Sequence, residues 1–453
     1  MKRISLLFSA AGLLPRLAVA LLCVGWSSVG HAGVADNATR TKVNGIDVVA
    51  LKTGVKDVVT ITGSLPAGGS RNPDTNSALA KLAASMLDKG TTTHDKFAIS
   101  KLLGDVGATV SFGASSNALL VNAKCLRADL PLDLGLIAEQ LRSPAFAPEE
   151  FAKVKKQATG LRRRAMEDPS FISDKAFVNA IYPVGHPNHE PALPQFLADV
   201  DKATLEEVKT FYQQYYGPAA MKLVVVGDVD AAAVTSEIGK VFAGWTGGGP
   251  EPKMPKAGQT DVARDQNVFM ADKASVSVLW GQATQLHYGD PDALALRLGT
   301  AALGTGFTGR LMHNVRDLEG LTYGIYSGVT NDTYSDGDWR IGADFAPQLL
   351  EKGLASTKRQ LTAWYENGIT EAELAHVKGD FVGSYKIGLS TTGGMAGTIL
   401  NTMNRELPLS FIDEFGSKVN AMTLAQVNGS IKKHLDPEKM VLVKAGTVPG
   451  VTK

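Results

Sequence analysis

Cysteine and net charge are what this chain has least of. Its 453 residues hold two cysteines, Cys23 and Cys125, and 46 basic against 45 acidic side chains. Two cysteines exclude a disulfide scaffold. A formal charge of +1 leaves no polyanion-binding footprint, so nucleic acid drops out as a partner class. No Gly-x-Gly-x-x-Gly leads from a strand into a helix, which removes a dinucleotide site, and no Gly-x-Ser-x-Gly marks a nucleophile elbow. The apolar run at Leu17–Gly25 is about nine residues, where a bilayer span needs about 20. No other stretch is better suited to crossing a membrane.

What is present begins with export chemistry. Lys2 and Arg3 precede the apolar run, and Gly30 and Ala32 stand at the −3 and −1 positions of a signal-peptidase site. Residues 1–32 therefore read as a signal peptide, with an uncleaved anchor as the alternative; Leu22 is too large for lipoprotein processing at Cys23. Cleavage would remove three basic side chains and no acid, taking the charge from +1 to −2. Cys125 would then be the remaining cysteine, in a strand-like segment that suggests a buried, inert thiol. The expected product is exported and periplasmic, with no stable membrane span.

A chain this long exceeds one hydrophobic core, and its pattern divides it in two. Residues 246–262 are rich in glycine and proline and read as a linker between a first half at 33–245 and a second at 263–453. The halves echo each other. TLEEVKTFYQQYYGPAAMKLVVVGD (204–228) and TLAQVNGSIKKHLDPEKMVLVKAGT (423–447) each read as a capped helix, a proline turn and a β-branched strand ending near glycine. Upstream, EFAKVK (150–155) matches ELAHVK (373–378), so two echoes occur in the same order. Strand-like segments at 47–52, 58–64, 118–123, 222–226, 268–271, 275–281 and 441–444 alternate with amphipathic helices. Runs of strands before any helix favour an α+β fold with mainly antiparallel sheets.

Residues 75–89 carry apolar side chains at 78, 79, 82, 83, 86 and 87, which predicts a helix capped by Asp74 or Thr75 and closed by Gly90. ALAKLAASMLDKGT at 78–91 resembles the zinc helix of the M16 (insulinase and mitochondrial-processing-peptidase) family. SPAFAPEEF (143–151), the turn at Glu167–Pro169, YPVGHP (182–187) and VVVGDVD (224–230) agree with that resemblance. It implies two homologous domains that together form half of a clamshell chamber. Active members carry His-x-x-Glu-His on this helix, two imidazoles for zinc and a glutamate to activate water. The matching positions here are Lys81, Ala84 and Ser85, and the third ligand's region falls on Thr159, Gly160 and Leu161. An ammonium repels a dication, a neutral hydroxyl is a poor zinc ligand, and alanine moves no proton. No catalytic or metal-binding residue is therefore expected on this chain.

His186-Pro-Asn-His189-Glu190 has a ligand-like spacing, but its prolines make it a loop and deny it a helical face. The other histidines are scattered singly. In the second half, LGTGFTGRLMHNVRDLEGLTYGIYSG (303–328) reads as a glycine turn, a helix at 310–318 and a strand at 321–327. The resemblance assigns Arg316 and Tyr323 to a pair that holds the substrate backbone near the scissile bond. The plainer alternative pairs Arg316 with Asp317 or Glu319 and buries Tyr323 in the core.

The resemblance implies a catalytically incomplete subunit of an exported zinc peptidase. It would form a heterodimer with a zinc-bearing homologue and supply Arg316 and Tyr323 for peptide proteolysis. Zinc is expected on the partner, and this chain binds no cofactor of its own. A stand-alone peptide-binding or scaffold pseudoenzyme is the second reading, and a self-sufficient metallopeptidase with unusual ligands the third.

Overall fold

The computed structural model describes residues 33–249 and 264–451. The segment 1–32 and most of the expected linker lie outside the described residues. Thr246 to Gly249 fold back on the turn at 217–219, where the Ala219 N–H reaches the Gly247 carbonyl at 3.5 Å.

The first half contributes strands β1 (Ala38–Val43), β2 (Ile46–Lys52), β3 (Val58–Leu65), β4 (Thr109–Ala114), β5 (Leu119–Leu126) and β6 (Lys222–Gly227). They form one sheet in the order β1-β2-β6-β3-β5-β4. The second half contributes β7 (Arg264–Phe269), β8 (Val276–Ala283), β9 (Thr322–Thr330), β10 (Asp338–Phe345) and β11 (Val441–Gly446), ordered β7-β11-β8-β10-β9. Both sheets are antiparallel apart from one parallel pair each, β2 with β6 and β7 with β11. In each, the last strand of the half slots between the first two of the shared set, so the sheets have the same topology around β6 and β11. Every residue of β6 is buried, which explains its unbroken β-branched run: a central strand covered on both faces has no polar side to alternate with. β5 alternates buried and exposed positions because its outer face meets solvent.

The echoed sequences fold alike. Thr204 and Thr423 each cap an 11-residue helix, Leu205–Tyr215 and Leu424–His434, through a capping box closed by Glu207 or Gln426. The strands that follow end at Gly227 (φ 155°) and Gly446 (φ 141°). A Cβ on either would stand 2.1 Å or 2.6 Å from the carbonyl oxygen of Val58 or Ser275 in the neighbouring strand segment, so glycine is required. The second echo opens two 18-residue helices, Pro148–Ala165 and Glu371–Gly388, each followed by a 13-residue helix, Pro169–Ile181 and Thr392–Asn404.

Those 13-residue helices exchange places. Phe177, Val178 and Ile181 of the first half pack on Leu279, Val441 and Val443 of the second sheet. Ala396, Ile399, Leu400 and Met403 of the second half pack on Val49, Leu51, Val224 and Val226 of the first sheet. Buried hydroxyls pair across both contacts: Ser173 with Ser277 at 3.2 Å, and Ser64 donating to Asn404 at 2.8 Å. Each half thus completes the other's core, and the described chain from Gly33 onward is one compact unit.

Candidate functional site

The metal-helix counterpart is a helix at Leu79–Met86, shorter than the expected 75–89. Neither Asp74 nor Thr75 caps it. Its first turn is held from outside: the Asn72 Oδ1 accepts from the Ala80 N–H at 2.8 Å, and Asp199 accepts from the Ser77 N–H at 2.9 Å and its hydroxyl at 2.6 Å. Burial pushes the Asp199 carboxyl up, but bonds from Lys202, Ser77 and Gln195 outweigh it and bring it down to about 2. The signal missed in the sequence was this remote cap, about 120 residues downstream. Gly90, at φ 113°, closes the segment as expected.

The helix is therefore held in place, but it carries no metal-binding chemistry at the expected positions. Lys81 is exposed and bears a cation, Ala84 is buried, and Ser85 is half-buried. The third-ligand region on the Pro148–Ala165 helix offers no carboxylate at 159–161. Among the described residues no group of three or more His, Cys, Asp or Glu side chains could hold a metal ion. These residues do not fit zinc.

The His-x-x-His-Glu segment has another job. The Asn188 N–H donates to His186 Nδ1 at 3.1 Å, so Nε2 carries the proton and donates to Asp336 at 3.1 Å. His189 Nδ1 donates to the Tyr182 carbonyl at 2.9 Å. Tyr182 stacks on His186 at 4.5 Å and donates its hydroxyl to Asp338 at 3.0 Å, while Asn188 donates to the carbonyls of Asn331 and Asp336. Arg340 anchors the far side through Asp338 and Asp174, which, despite the opposing effect of burial, hold its guanidinium above its usual value. The segment pins the first half to the second, and both ring nitrogens of His186 are committed. Cys125 is buried in β5, its thiol pushed up by burial and by Asp133.

Arg316 and Tyr323 do come together. The expected helix at 310–318 is π-helical over Met312–Leu318, with the Glu319 N–H reaching the Asn314 carbonyl at 3.0 Å. Arg310 ties this turn to the Glu371–Gly388 helix through Glu373, at 2.5 and 2.7 Å. π-Turns are rare and recur at functional sites because the wider turn re-aims side chains. Here it presents the Arg316 guanidinium 5.6 Å from the Tyr323 ring centroid and 5.5 Å from that of Phe307. Tyr323 is 92% exposed and Phe307, on the glycine turn, 74%. Tyr323 is not core, and Glu319 is engaged by Ser356 and Arg359 rather than Arg316. Asp317 touches Arg316 only at 3.4 Å. The alternative is met in one half only: Arg316 does pair with Asp317, but Tyr323 lies outside the core. Phe307 was missed: one aromatic in a glycine turn has no periodicity to mark it.

This geometry defines a peptidase-like scaffold whose metal positions hold no ligands. Comparison with known proteins agrees. The sequence model of the insulinase family (peptidase family M16) matches residues 48–182, and the model described as the peptidase M16 inactive domain matches 202–379. The non-peptidase homolog YmxG of Helicobacter pylori is 23% identical over 376 residues, spanning 82% of this chain and 84% of its own. An uncharacterized zinc protease of Streptomyces coelicolor is 25% identical over 324 residues, 69% of each chain. The crystal structure of a peptidase M16 inactive domain from Pseudomonas fluorescens superposes with a TM-score of 0.84 at 25% identity, covering 92% of this chain and 99% of that one. The chain belongs to the M16 peptidase family, as a homologue without His-x-x-Glu-His.

Proposed function

We propose that this chain is the catalytically incomplete subunit of an exported, periplasmic M16-type zinc peptidase. The observation that carries the reading is the combination of a ligand-free helix at 79–86 with the Arg316–Tyr323 pair, half-buried guanidinium beside exposed phenol. A zinc-bearing homologue would close against this chain and bring the metal and its activated water. Arg316 and Tyr323 would donate hydrogen bonds to the carbonyl of a bound peptide. Such donors count most where negative charge develops on the carbonyl oxygen, in a chamber from which water is excluded. Both side chains have donors to spare, since Arg316 meets one carboxylate at the edge of hydrogen-bond range and the Tyr323 phenol is solvent-facing.

The test is reconstitution. The mature chain is coexpressed with an exported His-x-x-Glu-His homologue from the same host, and the pair is purified through a tag on this chain. The expected result is a heteromer that hydrolyses peptides, with neither chain active alone. A homologue that does not copurify, or that cleaves equally well without this chain, sinks the reading.

YmxG, a relative described as a non-peptidase homolog, keeps the second reading in view: a stand-alone peptide-binding or scaffold protein. It expects no copurifying homologue.

A further inference from the structure

The place where the family holds its metal has gathered cations instead. The Lys81 ammonium lies 5.9 Å from the ring centroid of Phe196, and the Arg162 guanidinium lies 4.1 Å from the same centroid. Arg162 immediately follows 159–161, the stretch matched to the lost third ligand. Its guanidinium is also 5.3 Å from the Phe171 ring, and the Lys175 ammonium is 5.3 Å from that ring too. Two aromatic rings therefore organise three cations drawn from three helices. One carboxylate answers them: Glu190 forms an ion pair with Lys175. Among the described residues Lys81 and Arg162 make ring contacts and feel the nearby charge of Glu190, with no side-chain hydrogen bond or ion pair.

Gathering like charges raises the energy of a fold unless a counter-charge arrives. Desolvation, and after it the Arg162 charge, hold the Lys81 ammonium below its usual value. Desolvation does the same to the Arg162 guanidinium. A guanidinium offers a planar fork that matches a carboxylate in two hydrogen bonds, and an ammonium adds a point charge beside it. The buried Phe196 ring seats the two cations, and the half-buried Phe171 ring beside them offers apolar surface. Glu190 on Lys175 shows the cluster already accepting one carboxylate; its single charge is shared among three cations, which leaves Lys81 and Arg162 without a direct partner for a second.

We propose that Lys81 and Arg162, backed by Lys175 over Phe171 and Phe196, form a carboxylate-binding site for a peptide's C-terminus or acidic side chain. The chain has replaced a metal that cuts peptides by a charge that holds them. The site belongs to this chain alone, so it stands or falls without any partner subunit.

The test uses the full mature chain, immobilised, and four fluorescent pools of randomised N-acetylated decapeptides. One pool ends in a free carboxylate, one is amidated with an internal glutamate, one is amidated with phosphoserine in that place, and one is amidated and carries none of these groups. At low salt, retention of one carboxylate pool is expected to exceed that of the uncharged pool by at least about tenfold and to fall as salt rises. Whichever carboxylate pool is retained tells terminus from side chain. K81M/R162Q removes the preference. K81M alone, at an exposed position, lowers it at least threefold, by rough expectation for one lost charge–charge pair, and serves if the double variant does not fold. Equal retention of all pools, stronger retention of the phosphoserine pool than of either carboxylate pool, or a preference that survives in the folded variants overturns the proposal.

Discussion

Arg316 and Tyr323 are seven residues apart in sequence, on different secondary-structure elements, yet the half-buried guanidinium stands 5.6 Å from the centre of the exposed phenol ring. The π-turn ends at Leu318, Gly320 turns the chain at φ 64°, and β9 begins at Thr322. Those three features set the pair. Neither side chain fills the core, so neither is there for stability. Arg316→Ala and Tyr323→Phe should each change the free energy of unfolding by less than about 0.5 kcal/mol, as surface substitutions do. Urea unfolding of the isolated chain checks this; a loss of 2 kcal/mol or more, by the same scale, would show a structural role instead.

His186 is the opposite case. His186→Ala removes the acceptor of the Asn188 N–H, the donor to Asp336 and the ring stacked on Tyr182, all in a buried contact between the halves. The expected cost is about 2–4 kcal/mol, because a buried N–H and a buried carboxylate each lose a partner and a stacked ring is removed. Thermal unfolding measures it. If the segment were a metal site instead, the substitution would change bound zinc and leave the apo stability alone.

The exchanged helices make a claim about cooperativity. Phe177 is fully buried and packs with the second sheet although it belongs to the first half. Phe177→Ala should cost about 3–5 kcal/mol. Unfolding should remain a single transition by calorimetry, since neither half keeps its core without the other's helix. Two resolved transitions, with one half undisturbed by the substitution, would contradict the exchange.

Asp133 gives a pH signature. It is buried in the helix at Leu130–Arg142, and neither carboxylate oxygen reaches a conventional donor among the described residues. Burial pushes its carboxyl up to about 6 from 3.8; the hydrogen bond from the Cys125 thiol opposes it, and the Asp129 charge adds a lesser push upward. The folded chain therefore keeps a proton that the unfolded chain releases between about pH 4 and 6. Stability falls as pH rises through that window and stays reduced above it. Relative to Asp133→Asn, the wild type should lose about 2–3 kcal/mol between pH 4 and 7. Parallel stability curves for the two proteins would show that the carboxyl is not held protonated.

Much of this was legible in the sequence because burial leaves periodic traces. The β-branched run at 222–226 announced a strand, and the repeated capped helices at Thr204 and Thr423 announced the duplication. β1 and β4 left no such trace. Both are edge strands with no fully buried position: ATRTKV is mostly polar, and TVSFGA alternates only between exposed and half-buried residues, too short and weak a pattern to stand out. β10 was hidden for a different reason: Asp338 and Arg340 are buried there against Tyr182 and Asp174, and charge normally marks a surface. At the site, Arg316 and Tyr323 came from a motif, whereas the Phe307 contact and the Lys81–Arg162 convergence on Phe196 depend on tertiary packing. The exchange of the 13-residue helices is likewise a matter of which sheet each one reaches, and amphipathicity names a face without naming its partner.

The central claim is that this chain lends Arg316 and Tyr323 to a reaction whose metal sits on another subunit. Its most direct test is kcat/KM for peptide hydrolysis by the reconstituted heteromer. With heteromer formation unchanged, Arg316→Ala and Tyr323→Phe should each lower it by about 10²–10³, the loss typical of one donor that stabilises a developing oxyanion. Turnover indistinguishable from wild type in both variants would contradict the account.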